Sequence, residues 1–412
     1  MEIRQVLHSA SRLLCILAAV AALAGAASGP AERVLYSFTG GRDGDYPDSD
    51  LVIDSAGNLY GTTVQGGDFD SGAVFELTPS GSGWIETTLY SFTSGKDGGQ
   101  PYGGVTLDAA GNLYGTAVVG GSTSGVCVEN GCGVVFKLTN TGGVWSQSVI
   151  HTFTGGRDGY GPGAGLTFDK QGNLYGMTPT GGTYGLGVIY ELTPTAGGWT
   201  EKIVHTFTGG DDGGAGSAGR LLDAAGNLYG VATVGGAYGS GTAFELTPPH
   251  NGAWKFSTLY AFKGQPDAGF PYGALAADPA GNLYGTSYYD GANDLGAVYE
   301  LTRSGGAWSE AVLYSFKGAP DGSGPISNLV YRGGSLFGTT SEGGASACGC
   351  GAIFSLAPGG GGWSESVLYN FKGAPDGGFV YNGMIAGPTG SLYGTTVHGG
   401  VDDEGSIFRF IP

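Results

Sequence analysis

The sequence predicts an all-β protein: a seven-bladed β-propeller with four antiparallel strands per blade, closed by an N-terminal outer strand that completes the last blade. Three observations carry this expectation. A phrase close to G-N-L-Y-G-T occurs seven times, beginning at Gly57, Gly111, Gly172, Gly226, Gly281, Gly334 and Gly390. Two further phrases accompany it in fixed order, so each unit has room for four short strands. No stretch of the mature chain sustains a helical period.

Taken in order, residues 1–26 read as an export signal. Arg4 and Arg12 make a positive start, Leu13 to Leu23 a short apolar run, and Ala24-Gly25-Ala26 a small-residue cleavage site. The run is too short to span a bilayer, and no later segment is apolar enough to do so. The mature protein is therefore expected to be secreted, periplasmic or at the cell surface, with no membrane insertion after cleavage.

Residues 27–412 are expected to form one domain, with repeats at about 39–92, 93–153, 154–207, 208–262, 263–316, 317–371, and 372–412 plus 32–38. The second repeat shows the pattern. Val105-Thr106-Leu107 is a short apolar strand a. Asp108 to Asn112 is a tight hairpin in which Gly111 supplies positive φ. Strand b runs from Asn112 to Thr116, with Leu113 and Tyr114 on opposite faces. After a variable Gly-rich loop, strand c runs from Val134 to Thr139, and the longest strand, d, from Trp145 to Phe153. The short strand a suits the crowded axis and the Trp-bearing strand d the rim. All six Trp fall in the d phrase, and its closing Phe recurs at Phe38, Phe92, Phe153, Phe207, Phe262, Phe316 and Phe371.

Closure follows from the two ends. Residues 27–38 contain a fourth strand without its first three, and residues 372–412 contain three strands without a fourth. Together they make one repeat, so the N-terminal strand should complete the last blade beside Ser406 to Ile411. Such a ring leaves no exposed edge to template aggregation. The competing open solenoid would need end caps, and none is visible.

These phrases resemble the tandem repeat of the bacterial GloVer-containing family, from about Val34 to the end. The resemblance implies a secreted or surface protein, often with a C-terminal sorting anchor. This chain departs from that pattern by ending at Phe408-Arg409-Phe410-Ile411-Pro412, inside the last predicted blade, so no anchor is expected. It carries over no catalytic residues.

Composition narrows the partners. Gly (86) and Pro (18) make up about a quarter of the 412 residues, a fraction that suggests disorder when it has no period. Here the glycines keep fixed places in the repeat, and aromatics reach 12%, enough to build a core. With 17 basic against 35 acidic residues, net −18, the chain has no basic footprint for nucleic acid or anionic lipid. A monomer is expected.

The mature cysteines, Cys127, Cys132, Cys348 and Cys350, lie in two sequence-local pairs. Export favours disulfides, one within each loop. The spacings fit no usual zinc pattern, and no metal site is expected. Asp54, Asp108, Asp169, Asp223 and Asp278 repeat at the a-to-b turn. Calcium is the one ion their oxygen-rich phrase suggests, but the dense spacing of a calcium loop is missing, so no cofactor is expected. Asp43, Asp97, Asp158, Asp212, Asp267, Asp321 and Asp376 repeat in the d-to-a loop. Residues present in every blade read as turn formers.

Positions that differ between blades are the better functional candidates. Before strand a, near the channel mouth, one column reads Asp48, Tyr102, Gly163, Ser217, Tyr272, Ile326 and Tyr381, with Asp50, Asn328 and Asn382 close by. Tyrosine faces stack on sugar C–H surfaces while carboxylates and amides take hydroxyls. The competing reading makes these residues packing or solvated loop. Of the histidines, His151 and His205 occupy a column that is otherwise Tyr, and His250 sits in a c-to-d turn. His398 alone lies in a b-to-c loop, near Asp402, Asp403 and Glu404, and is weak as a base or ligand. No nucleophile elbow or metalloprotease motif is present. Two readings follow. One is a binding or scaffold module that recognises carbohydrate or protein on the mouth face. The other is a hydrolase or lyase, with polysaccharide as a candidate substrate, using the same face.

Overall fold

The computed structural model describes residues 31–81, 83–249 and 252–412, with backbone alone at 217–220. The expected export signal, residues 1–26, and His250 lie outside the described residues. Seven small antiparallel sheets, each ordered a-b-c-d, make a seven-bladed propeller. In blade 2 the strands are Val105–Leu107, Leu113–Ala117, Val134–Thr141 and Val144–Thr152. Blade 7 consists of Ile385–Ala386, Leu392–Thr396 and Ser406–Ile411, joined on its outer side by Ala31–Ser37. There Val34 faces Phe408 and Ala31 faces Ile411.

The repeat phrases fix how blades adhere. The Phe that closes each strand d is fully buried and meets, edge to face, the aromatic residue of strand c in the next blade. Seven such pairs form a complete belt, from Phe92–Phe136 at 5.0 Å round to Phe371–Phe408 at 5.2 Å and Phe38–Phe75 at 5.2 Å. Each contributes about 0.5–1.5 kcal/mol beyond the area it buries. Strand b makes room for this belt. A Cβ at Gly61 would stand 2.6 Å from Cζ of Phe75, so the glycine of L-Y-G-T is a packing requirement. A second belt uses the tryptophans. Trp145 packs on Tyr60, Trp199 on Tyr114 and Trp254 on Tyr175, each Trp reaching back to the preceding blade. The threonine of the same phrase clasps the next blade: Thr116 Oγ1 donates to the carbonyl of Ala164 at 3.1 Å, and Thr395 Oγ1 to that of Ser49 at 3.2 Å.

Two features were not legible in the sequence. Every c–d pairing carries a bulge at the same place, as between Val135 and Phe136, which adds twist to the outer strand. Blade 5 departs from the four-strand expectation. Its sheet has five strands, because Ala268–Pro271 pairs with a longer strand b, Leu283–Asp290, beside the usual short strand Ala276–Ala277. The cause is local sequence: Asp290 continues the strand where other blades have the first of two turning glycines, as at Gly66.

Candidate functional site at the channel mouth

The two faces of the ring are built differently. On the face opposite the mouth, the a-to-b hairpin is a closed hydrogen-bond unit. Asp54 Oδ1 accepts from the backbone N–H groups of Ala56 and Asn58, and Oδ2 from Asn58 Nδ2 and Tyr60 Oη. Asp108, Asp169, Asp223 and Asp278 repeat the arrangement. The tyrosine also donates to the strand c glutamate in four blades, as Tyr60 to Glu76 at 2.9 Å. Blade 2 has Lys137 there, with its ammonium 5.3 Å from the Tyr114 ring centre. Burial alone would raise the Asp108 carboxyl. The donors from Asn112, Tyr114 and Ala110 outweigh it and hold the group below the usual carboxylate range. These oxygens are occupied by the turn itself. Among the described residues no group of three or more His, Cys, Asp or Glu side chains is placed to hold a metal.

The d-to-a acids are also structural in their contacts. Asp43 Oδ2 accepts from Thr39 N and from Tyr36 Oη at 2.9 Å, and Tyr314–Asp321 and Tyr369–Asp376 match it. In blade 3 His205 replaces the tyrosine and sits 3.0 Å from Asp212. His151 instead faces Glu201 at 3.4 Å. Burial lowers both imidazoles below their ordinary range.

Further along that loop, every blade places one residue in the left-handed region: Tyr46, Gln100, Gly161, Ala215, Phe270, Gly324 and Phe379, with φ between 50 and 63°. Five of the seven are not glycine, so the loop holds a costly conformation for each of them. Two residues later comes the variable column. The repeated kink therefore aims the described residues of this column at the axis, in six blades, while their identity stays free to change.

The result is a cavity of about 460 Å³. Asp48, Asp50, Tyr102, Tyr272, Asn328, Tyr381 and Asn382 all line it, joined by Tyr288 and Ile326, with Gly103 and Gly163 to Gly165 forming a smooth opposite wall. Tyr102, Tyr272 and Tyr381 are 40%, 46% and 37% exposed. Amides from blades 6 and 7 clamp the acids of blade 1. Asn328 Nδ2 donates to Asp50 Oδ2 at 2.9 Å, Gly383 N to Asp50 Oδ1 at 3.2 Å, and Asn382 Nδ2 to Asp48 Oδ1. Among the described residues no hydrogen bond reaches Oδ2 of Asp48. Burial, opposed by the Asn382 amide and reinforced by the charge of Asp50, pushes the Asp48 carboxyl up to about 6.

His398 stands apart from the other seven candidates. It does not line the cavity. Its Nε2 lies 3.2 Å from Tyr46 Oη, and its ring packs edge-on against Tyr46 and Phe379. Phe379 and Tyr46 are the kink residues of blades 7 and 1, so the imidazole acts there as a packing group between two loops. Sequence reasoning passed over Tyr288, which reaches the cavity from strand b. The signal was a broken column: Val64, Val118 and Val397 mark the same position in three other blades.

The cysteines form the two local disulfides, Cys127–Cys132 and Cys348–Cys350. Each pins a b-to-c loop on the mouth face. Among the described residues no helix is long and apolar enough to cross a membrane.

Solved structures align with this chain. A Bacteroides uniformis protein named as a candidate 6-phosphogluconolactonase aligns at 12% identity and TM-score 0.51, over 89% of this chain and 98% of its own. A Thermus thermophilus protein named as a candidate oxidoreductase (glucose dehydrogenase) aligns at 17% and 0.44, over 76% and 96%. A Dyadobacter fermentans protein of unknown function aligns at 12% and 0.45, over 93% and 98%. At 12% identity the first of these likenesses concerns the fold alone. No curated protein sequence matches. The Gloeobacter/Verrucomicrobia repeat matches residues 24–128, 122–307 and 250–412, and the chain belongs to that family.

Proposed function

We propose that this protein is an exported binding module that takes a carbohydrate at the channel mouth. One observation carries the reading: variable residues from blades 1, 2, 5, 6 and 7 converge on a single cavity whose wall pairs exposed tyrosine rings with clamped carboxylates and amides. The rings offer apolar faces to sugar C–H surfaces. Asp48 and Asp50 accept hydroxyl protons, and the amides of Asn328 and Asn382 hold those acids in place. The volume is that of a small-ligand site. Export fits the two disulfides, which persist outside the cytosol. Titration calorimetry against mono- and oligosaccharides tests the reading. Saturable binding without turnover supports it, and no heat with any sugar refutes it.

One observation favours a second reading, a hydrolase or lyase. The Asp48 carboxyl, lifted to about 6, is suited to proton transfer near neutral pH. Turnover of a bound glycan that is lost in Asp48→Asn while binding survives would establish it.

A further inference from the structure

Blade 5 does something at the mouth that no other blade does. Elsewhere strand b ends in a pair of glycines, and the first of them takes positive φ: Gly66, Gly120, Gly181, Gly235, Gly343 and Gly399. Blade 5 has Asp290 at that position, with φ 66°, preceded by Tyr288 and Tyr289. An aspartate in the left-handed region costs roughly 1 kcal/mol. Phe270, on the paired strand Ala268–Pro271, has φ 50°. The kink at Phe270 is shared by every blade, the cost at Asp290 is particular to this blade, and together they hold in place a run of aromatic rings.

The run is continuous with the cavity. Tyr272 and Tyr288 form part of the cavity wall, with ring centres 6.2 Å apart. Tyr289 follows at 4.4 Å from Tyr288, and Phe270 at 6.0 Å from Tyr289. Tyr289 is 51% exposed although it lies within a strand. Successive rings are turned by 65°, 65° and 90°, so they share no plane. Such a shelf suits a single soluble chain that changes direction from unit to unit, and it does not suit a flat crystalline face.

We propose that Tyr289 and Phe270 form a second sugar subsite, continuous with the mouth, and that the ligand is a soluble oligosaccharide running from the cavity outward over blade 5. The proposal rests on the mouth being a sugar site. It adds that one sugar unit occupies the cavity while the next units stack on the shelf.

The test is titration of the intact protein, its Tyr289→Ala variant and its Tyr289→Phe variant with chito-, cello-, xylo- and laminari-oligosaccharides of one to five units. In the series that binds, affinity should rise about tenfold between one and three units. Tyr289→Ala should abolish that gain while single-unit affinity stays within about twofold, and Tyr289→Phe should retain it. Because Tyr289 is half exposed, unchanged unfolding midpoints are expected for both variants and show that the fold is intact. Affinity independent of length, or a Tyr289→Ala protein that binds longer chains like the wild type, overturns the subsite and leaves the mouth reading standing. If no member of any series binds, the mouth reading itself fails and takes the subsite with it.

Discussion

The two faces of this ring follow opposite rules. Opposite the mouth, five hairpins repeat the same Asp, Asn and Tyr with the same bonds. At the mouth, a repeated backbone kink presents Asp, Tyr, Gly or Ile from one blade to the next. Repetition on the first face serves the fold, since each hairpin satisfies its own polar groups and its tyrosine supports a ring from the following blade. Variation on the second face, on a scaffold held constant, is what a binding site requires.

Five predictions can break or sharpen that contrast. The largest concerns the Trp belt. Trp254 packs on Tyr175 with ring centres 5.5 Å apart, and its indole N–H lies 3.4 Å from Glu191. Trp254→Ala should cost about 3 kcal/mol in denaturant unfolding, with ligand affinity unchanged. A loss near zero would remove the belt from the account of stability. Next, Asp169→Ala strands the donors of Asn173 and Gln171 and should cost about 1–2 kcal/mol, again without touching affinity.

The mouth should behave in reverse. Tyr381→Ala is expected to weaken carbohydrate binding about tenfold while unfolding free energy moves by less than about 0.5 kcal/mol. Affinity should also fall as pH drops through about 6, where Asp48 gains a proton, and Asp48→Asn should bind weakly and without that pH dependence.

The smallest effect is one of stability against pH. A strand d glutamate of five blades sits close to the d-to-a aspartate of the loop entering its own blade. Burial, with that neighbouring carboxylate, pushes Glu32, Glu86, Glu201 and Glu365 up to about 7 and Glu310 to about 9. Folding raises these values above the ordinary 4.5, so the folded state holds more protons. Their contribution is complete below pH 4.5 and is lost as pH climbs through 7. His151 and His205, lowered by burial, act in the opposite sense below about pH 6.5, but they are two groups against five. The thermal midpoint should be lower at pH 8 than at pH 5, and Glu310→Gln should narrow the difference. A midpoint that rises over that interval would contradict the placement of these glutamates.

How much of this could be read from the chain divides along the same line. The blades, the closing strand and the mouth column were legible, because local phrases set strand pairing and any departure from a repeat is visible by alignment of the chain with itself. The belts were not. Tyr60 and Trp145 meet across a blade boundary, and no local pattern states which neighbour a ring will touch. The fifth strand of blade 5 escaped because Tyr288-Tyr289-Asp290 reads equally as loop. His398 read only weakly as a base or ligand, and the kinks that bring Tyr46 and Phe379 against it are invisible until the chain is folded.

The most direct test pairs one residue from each face. Tyr381→Ala and Asp278→Ala proteins, compared with the wild type by thermal unfolding and by titration with the best-bound oligosaccharide, should separate cleanly. Tyr381→Ala should lose affinity and keep its midpoint, and Asp278→Ala should lose midpoint and keep its affinity. If Tyr381→Ala binds as tightly as the wild type, or if both variants lose stability and affinity together, the division of this ring into a structural face and a binding face is wrong.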